Sequence, residues 1–201
     1  MTSPGPGVVV GFGLVFGAEA SECAKRAHAA EALGDPNRVA GAVAAGVLMS
    51  CAAIEASLSE LATCLAVPSP HYRTLPQDLL VEVRDGNSPL YSRFEKLIEF
   101  YSPGQTCGTH EPFKNLRCLV ELRNHLAHRH AAFLTPGQWP DDLKQCKKRI
   151  PAEPGAHLDW TSALLIPAVA DWAARTMGAL FEWATPLLPV VRAGPPSGAA
   201  V

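Results

Sequence analysis

The chain has no excess of positive charge. Its 17 Lys and Arg stand against 19 Asp and Glu, for a net charge of −2. A general nucleic-acid coat is basic, so any contact with RNA or DNA must be local. Paired metal spacing is absent too. The six cysteines (Cys23, Cys51, Cys64, Cys107, Cys118, Cys146) form no CxxC and no zinc-type pair. Cys107 and His110 stand as a lone CxxH with no partner at ligand spacing. No metal or other cofactor is expected, and the thiols read as buried and reduced, as in a cytoplasmic protein. The first apolar run, Val8 to Phe16, is too short to span a bilayer and has no basic stretch before it. Neither a membrane anchor nor a secretory signal is therefore expected. Alternating patterns are missing beyond Val8 to Val10, which excludes a sheet of useful size, and no internal repeat occurs.

What is present is helical periodicity. At 201 residues and 48 % hydrophobic content, the chain is long and apolar enough for one domain with a core of its own. An N-terminal segment over 1–17 is expected to lead into a helical domain over 18–190, with a Pro/Gly/Ala-rich disordered tail over 191–201. Ala18 to Leu33 has helical composition and stops at Gly34-Asp35-Pro36. Within Val39 to Ala66, the residues Cys51, Ile54, Leu58, Leu61 and Leu65 step by three and four. Sparse charge marks this helix as central, and its Ala/Gly-rich first half permits close approach of a neighbour. Shorter helices are expected within Leu75 to Asp85 and over Leu90 to Tyr101, and another short one over Asp141 to Arg149. A last helical stretch spans Asp159 to Leu188, with Pro167 as a kink or a fresh start. The fold class is all-α: an antiparallel bundle of four to five principal helices.

One stretch departs from plain scaffolding. In Phe113 to Phe133, Leu116, Leu119, Val120, Leu122, Leu126 and Ala127 share a broad apolar face. Arg123 sits inside that face. A guanidinium against a core must find partners or reach a cleft, because an unpaired buried charge is very costly. Asn124, His125, His128 and His130 follow at once, so three of the seven histidines cluster here. An imidazole near its neutral point takes and gives protons, and an arginine grips phosphate with a planar fork. The two suffice for RNA cleavage by 2′-OH attack without a metal, giving a cyclic phosphate and a 5′-OH end. Arg123 and His128 lie roughly 140° apart on an ideal helix. Two copies facing across a two-fold axis would supply a pair of each to one cleft, so spacing favours a homodimer. Glu55 is the expected carboxylate support for Arg123. In a purely structural role it would pair with Arg123 and leave His128 simply exposed. Lys144, Lys147, Lys148 and Arg149 form a weak candidate contact for RNA phosphates.

At Arg123-Asn124-His125-Leu126-Ala127-His128 the chain resembles the HEPN superfamily, whose signature is Arg, four to six residues, then His, with a polar residue after the Arg. The setting is similar as well: AAIEASLSEL upstream, and a Trp-containing final helix, AVADWAARTMGALFEWA. The resemblance covers about Ala40 to Leu188. It implies a HEPN-like helical bundle and a homodimeric, metal-independent endoribonuclease of toxin–antitoxin or antiviral systems. Arg123, Asn124 and His128 would be catalytic; apart from the resemblance, Glu55, His125 and His130 are candidate supporting residues. The resemblance also implies a partner: an antitoxin or another defence protein. A non-catalytic dimer that binds nucleotide, RNA or a partner protein is the alternative. One branch of the family has Tyr two residues after the His; this chain has His130 there, which sets it apart from that branch and its Tyr-modifying antitoxin.

Overall fold

The computed structural model describes residues 11–127, 138–152 and 160–189. Among them the chain is all-α, with eight α-helices and no strand. Helix α1 runs Phe12–Ala32, α2 Pro36–Leu65, α3 Gln77–Asp85 and α4 Leu90–Tyr101. After a short 3₁₀ turn come α5, Glu111–Ala127, and α6, Asp141–Lys144. Helix α7 spans Trp160–Leu164 and α8 Pro167–Ala184. Five of these are long enough to form the body of a bundle: α1, α2, α4, α5 and α8.

A tight turn joins α1 to α2. The amide of Gly34 donates to the Glu31 carbonyl at 2.9 Å, and that of Asp35 to the Ala30 carbonyl at 3.0 Å. This pattern satisfies the last carbonyls of α1 and needs a left-handed residue, which Gly34 supplies at φ 68°. Asp35 then caps α2, its side chain accepting from the Arg38 amide at 3.1 Å, with Pro36 fitting the first turn. The result is a helical hairpin. Helix α1 begins at Phe12, ahead of the expected Ala18, so residues 12–17 belong to the first helix rather than to a separate segment.

Helix α2 is the central element, packed by α1, α8, α5, α3 and α4. By length and composition alone it is apolar enough to cross a membrane. In this fold its apolar side is spent on the core: Val43, Val47, Cys51, Ile54, Leu58 and Leu65 are buried. The stripe of threes and fours is the face that does this, with Leu61 at its margin. Gly46 lies where three helices meet. A Cβ there would stand 3.4 Å from both the Cys23 and Ala170 Cβ atoms. Small residues on α1, α2 and α8 thus let these backbones approach closely.

On α8, Val169, Trp172, Ala173, Leu180 and Ala184 are buried, with Met177 and Trp183 partly so. Pro167 starts this helix instead of kinking a longer one. The side chain of Trp160, the tail over 191–201 and Val8 to Val10 lie outside the described residues.

One sequence expectation fails here. Cys118 on α5 and Cys146 just after α6 are joined by a disulfide, their Cα atoms 5.4 Å apart. Only Cys23, Cys51, Cys64 and Cys107 are free. The pairing escaped the spacing argument because it depends on topology. Chain leaving α5 returns through α6 and lays Cys146 against Cys118, which is 28 residues away in sequence.

Candidate functional site

Helix α5 positions the candidate segment. Its inner face is fixed by Phe113, Leu116, Leu119 and Leu122, all buried. That anchoring sets the rotation of the helix, and so sets where Arg123 points: toward α2, at the margin of the core. The Arg123 side chain keeps 28 % of its exposure, and its Nη2 lies 3.9 Å from Oε2 of Glu55. This is a loose ion pair. The other oxygen of Glu55 makes a short bond to Nη2 of Arg93, on α4.

Arg93 is the buried member of the set, only 6 % of its side chain exposed. Its Nη1 donates to the Val83 and Arg84 carbonyls at 3.3 and 3.1 Å, tying α4 to the end of α3. Its Nε has no hydrogen-bond partner. Glu55 therefore bridges two guanidiniums unequally. It is bound to the buried one and merely near the half-exposed one. Arg123 keeps most of its donor fork uncommitted to that carboxylate.

Cys51, one turn before Glu55 on α2, completes the floor. Burial pushes its thiol up to about 12, and the charge of Arg123 together with a hydrogen bond from it only partly offsets that. It is an inert protonated thiol donating weakly to the Leu119 carbonyl at 3.8 Å, not a nucleophile.

The other expected residues divide. Asn124 is half-buried on α5 beside Arg123. His125 turns away toward α6, its Nε2 2.7 Å from Oδ2 of Asp142. Partial burial acts to raise the Asp142 carboxyl, but the His125 bond, His125 charge and two backbone amides outweigh it and hold the group below its ordinary value. His128 and His130 lie outside the described residues. Of the basic run, Lys144 pairs with Asp141 at 2.5 Å, Lys147 lies 5.7 Å over the Trp139 ring, and Arg149 bonds Glu111 and Asn115. Lys148 is exposed. Three of the four are thus engaged at home.

The lone CxxH does not assemble. Cys107 is buried, its thiol pushed up to about 11 by desolvation. His110 bonds Gln105 at 2.8 Å and packs on Trp183. Among the described residues no group of three His, Cys, Asp or Glu could hold a metal ion. A cavity of about 750 Å³ opens between α1, α2, α4 and α8, edged by Leu14, Leu58, Phe94, Met177 and Phe181. It is apolar, and none of the expected site residues lines it.

Sequence reasoning passed over Arg93 and Asp142. Arg93 carried a readable signal. It sits between Leu90 and Leu97 on the apolar stripe of α4, the same misfit that singled out Arg123. Asp142 carried none, since only the return of α6 brings it to His125. The chain matches no family model, no curated protein and no solved structure.

Proposed function

We propose that the chain is a metal-independent endoribonuclease of HEPN type, cytoplasmic, acting as a homodimer in a toxin–antitoxin or antiviral defence setting. The reading rests on the motif Arg123-Asn124-x-x-x-His128, and one observation supports it best. Arg123 stands at the core margin only loosely paired, because Glu55 is drawn to Arg93. A guanidinium so placed is steered by a carboxylate yet able to turn to a phosphate. In the proposed reaction His128 removes the proton of a ribose 2′-OH or protonates the leaving 5′-oxygen. Arg123 stabilises the charge building on the phosphate, and Asn124 orients one of the two. His125 and His130 stay in support.

The test is incubation with RNA in EDTA, following 2′,3′-cyclic phosphate ends. Arg123→Ala and His128→Ala should each lower cleavage by about 100-fold or more. Equal cleavage by wild type and both variants removes the assignment.

The second reading, a dimer that binds nucleotide, RNA or a partner protein without cutting, draws on charge. The net charge is −2, and two of the four residues of the basic run, Lys144 and Arg149, are paired with Asp141 and Glu111. RNA retained on a column of protein that leaves it intact selects this reading.

A further inference from the structure

The disulfide lies at a small recess of about 110 Å³ that has a distinctive rim. Lys114 and Arg117 on α5 and Arg149 beyond α6 edge it, opposed there by Glu121, with Gln145 alongside. Glu111 pairs with both Lys114 and Arg149 from outside. Arg117 lies over the Tyr91 ring at 5.1 Å. Both sulfur-bearing residues, Cys118 and Cys146, line the floor. The bond closes a 28-residue span that contains Arg123, Asn124, His125, His128 and His130. It also ties α6, and with it the Asp142 carboxylate that holds His125, to α5.

We infer that the Cys118–Cys146 bond is a reducible staple, opened by a small anionic thiol that enters this recess, where three cations outnumber Glu111 and Glu121, and that opening it loosens α6 and the His125–Asp142 tie. The thiolate attacks Sγ of Cys118, the more exposed of the two at 4 % against 1 %. The S–S bond breaks, and its electron pair leaves on Sγ of Cys146, which takes a proton from solvent. The adjacent Arg149 favours that thiolate. A second equivalent of thiol attacks the mixed disulfide, releasing the external disulfide and the Cys118 thiol. The protein bond gains two electrons and two protons, and two external thiols are oxidised. Cys23, Cys51 and Cys107 are buried, which raises their thiols and weakens them as internal nucleophiles. Reduction does not detach α6, because Leu143, Ile150 and Trp139 remain buried. In a reducing compartment disulfides are rare, and those that form are usually transient or redox-responsive. The inference stands whether or not the chain cuts RNA.

The experiment uses the full chain and two probes of similar size, 2-mercaptoethanesulfonate and 2-mercaptoethanol, compared at equal thiolate concentration. Cysteines are alkylated after denaturation and counted by mass. Air-exposed protein should give four labels and fully reduced protein six, from the four free thiols and six cysteines. The sulfonate should reduce the bond roughly tenfold faster at low salt, an advantage lost in 0.5 M salt or in Lys114→Gln and Arg149→Gln. On reduction, amide exchange should quicken over 138–150 and 121–127 but not in α1 or α2. Six labels before any reductant, equal rates with the two thiols, or unchanged exchange over α6 overturns the inference. Loss of RNA cleavage alone touches only the ribonuclease reading.

Discussion

At the scale of single residues the decisive contrast is between two arginines that share one carboxylate. Arg93 is buried and closely bonded to Glu55; Arg123 is half-exposed and 3.9 Å away. Removing the charge of Glu55 leaves a buried guanidinium with two carbonyls and an orphaned Nε. Glu55→Gln should therefore cost about 1–3 kcal/mol of stability in urea unfolding. Arg123→Met, which keeps the buried stem, should cost under about 1 kcal/mol, since it gives up a loose pair. The reverse order would make Arg123 a structural lock and withdraw the main support for catalysis. This is also where legibility was uneven. A cation on an apolar stripe is visible in the sequence, and the rule that picked out Arg123 applies equally to Arg93. What a linear pattern does not carry is which of two such cations a distant carboxylate prefers. That preference follows from the end of α3, which packs beside α4 and supplies Arg93 with two carbonyls.

Elements built on local signals were the readable ones. Helix α4 falls on the expected Leu90 to Tyr101, and α2 on its stripe, because caps, prolines and periodicity are short-range. The Gly34 turn is of the same kind. Gly34→Ala should destabilise by about 1 kcal/mol, as a Cβ is strained at φ 68° even though nothing crowds it. Contacts made when an element returns were not readable, and α6 shows why. Its tie to His125 through Asp142 has a defined pH signature. The Asp142 carboxyl is held below its ordinary 3.8, so its contribution is fully present above that value and is lost as pH falls through the lower folded value. Asp142→Asn should thus be less stable than wild type at pH 6, with the gap closing in acid as pH falls through the carboxyl's lowered folded value. A gap that persists undiminished in acid would mean that the side chain acts through packing instead of charge.

For the molecule as a whole, the disulfide and the subunit count set the behaviour. Closing a 28-residue span stabilises by about 3.5 kcal/mol on the chain-entropy account. Full reduction should accordingly lower Tm by roughly 10 °C for a chain of this length, measured by calorimetry with and without dithiothreitol. Subunit count bears on the chemistry more directly. One copy contributes a single Arg123, and α1 leaves Phe12, Leu14 and Val15 exposed at 61, 82 and 53 %. A homodimer would pair the motifs and offer apolar surface of that kind somewhere to go. Light scattering at micromolar concentration should give twice the 21.3 kDa of the chain. The sharper measurement mixes two inactive variants, Arg123→Ala and His128→Ala, after subunit exchange. If the arginine of one subunit serves the histidine of the other, each mixed dimer holds one complete pair, and about a quarter of wild-type cleavage should return. Mixed dimers that form and stay silent would assign both groups to the same subunit, and a monomer would remove the shared cleft altogether.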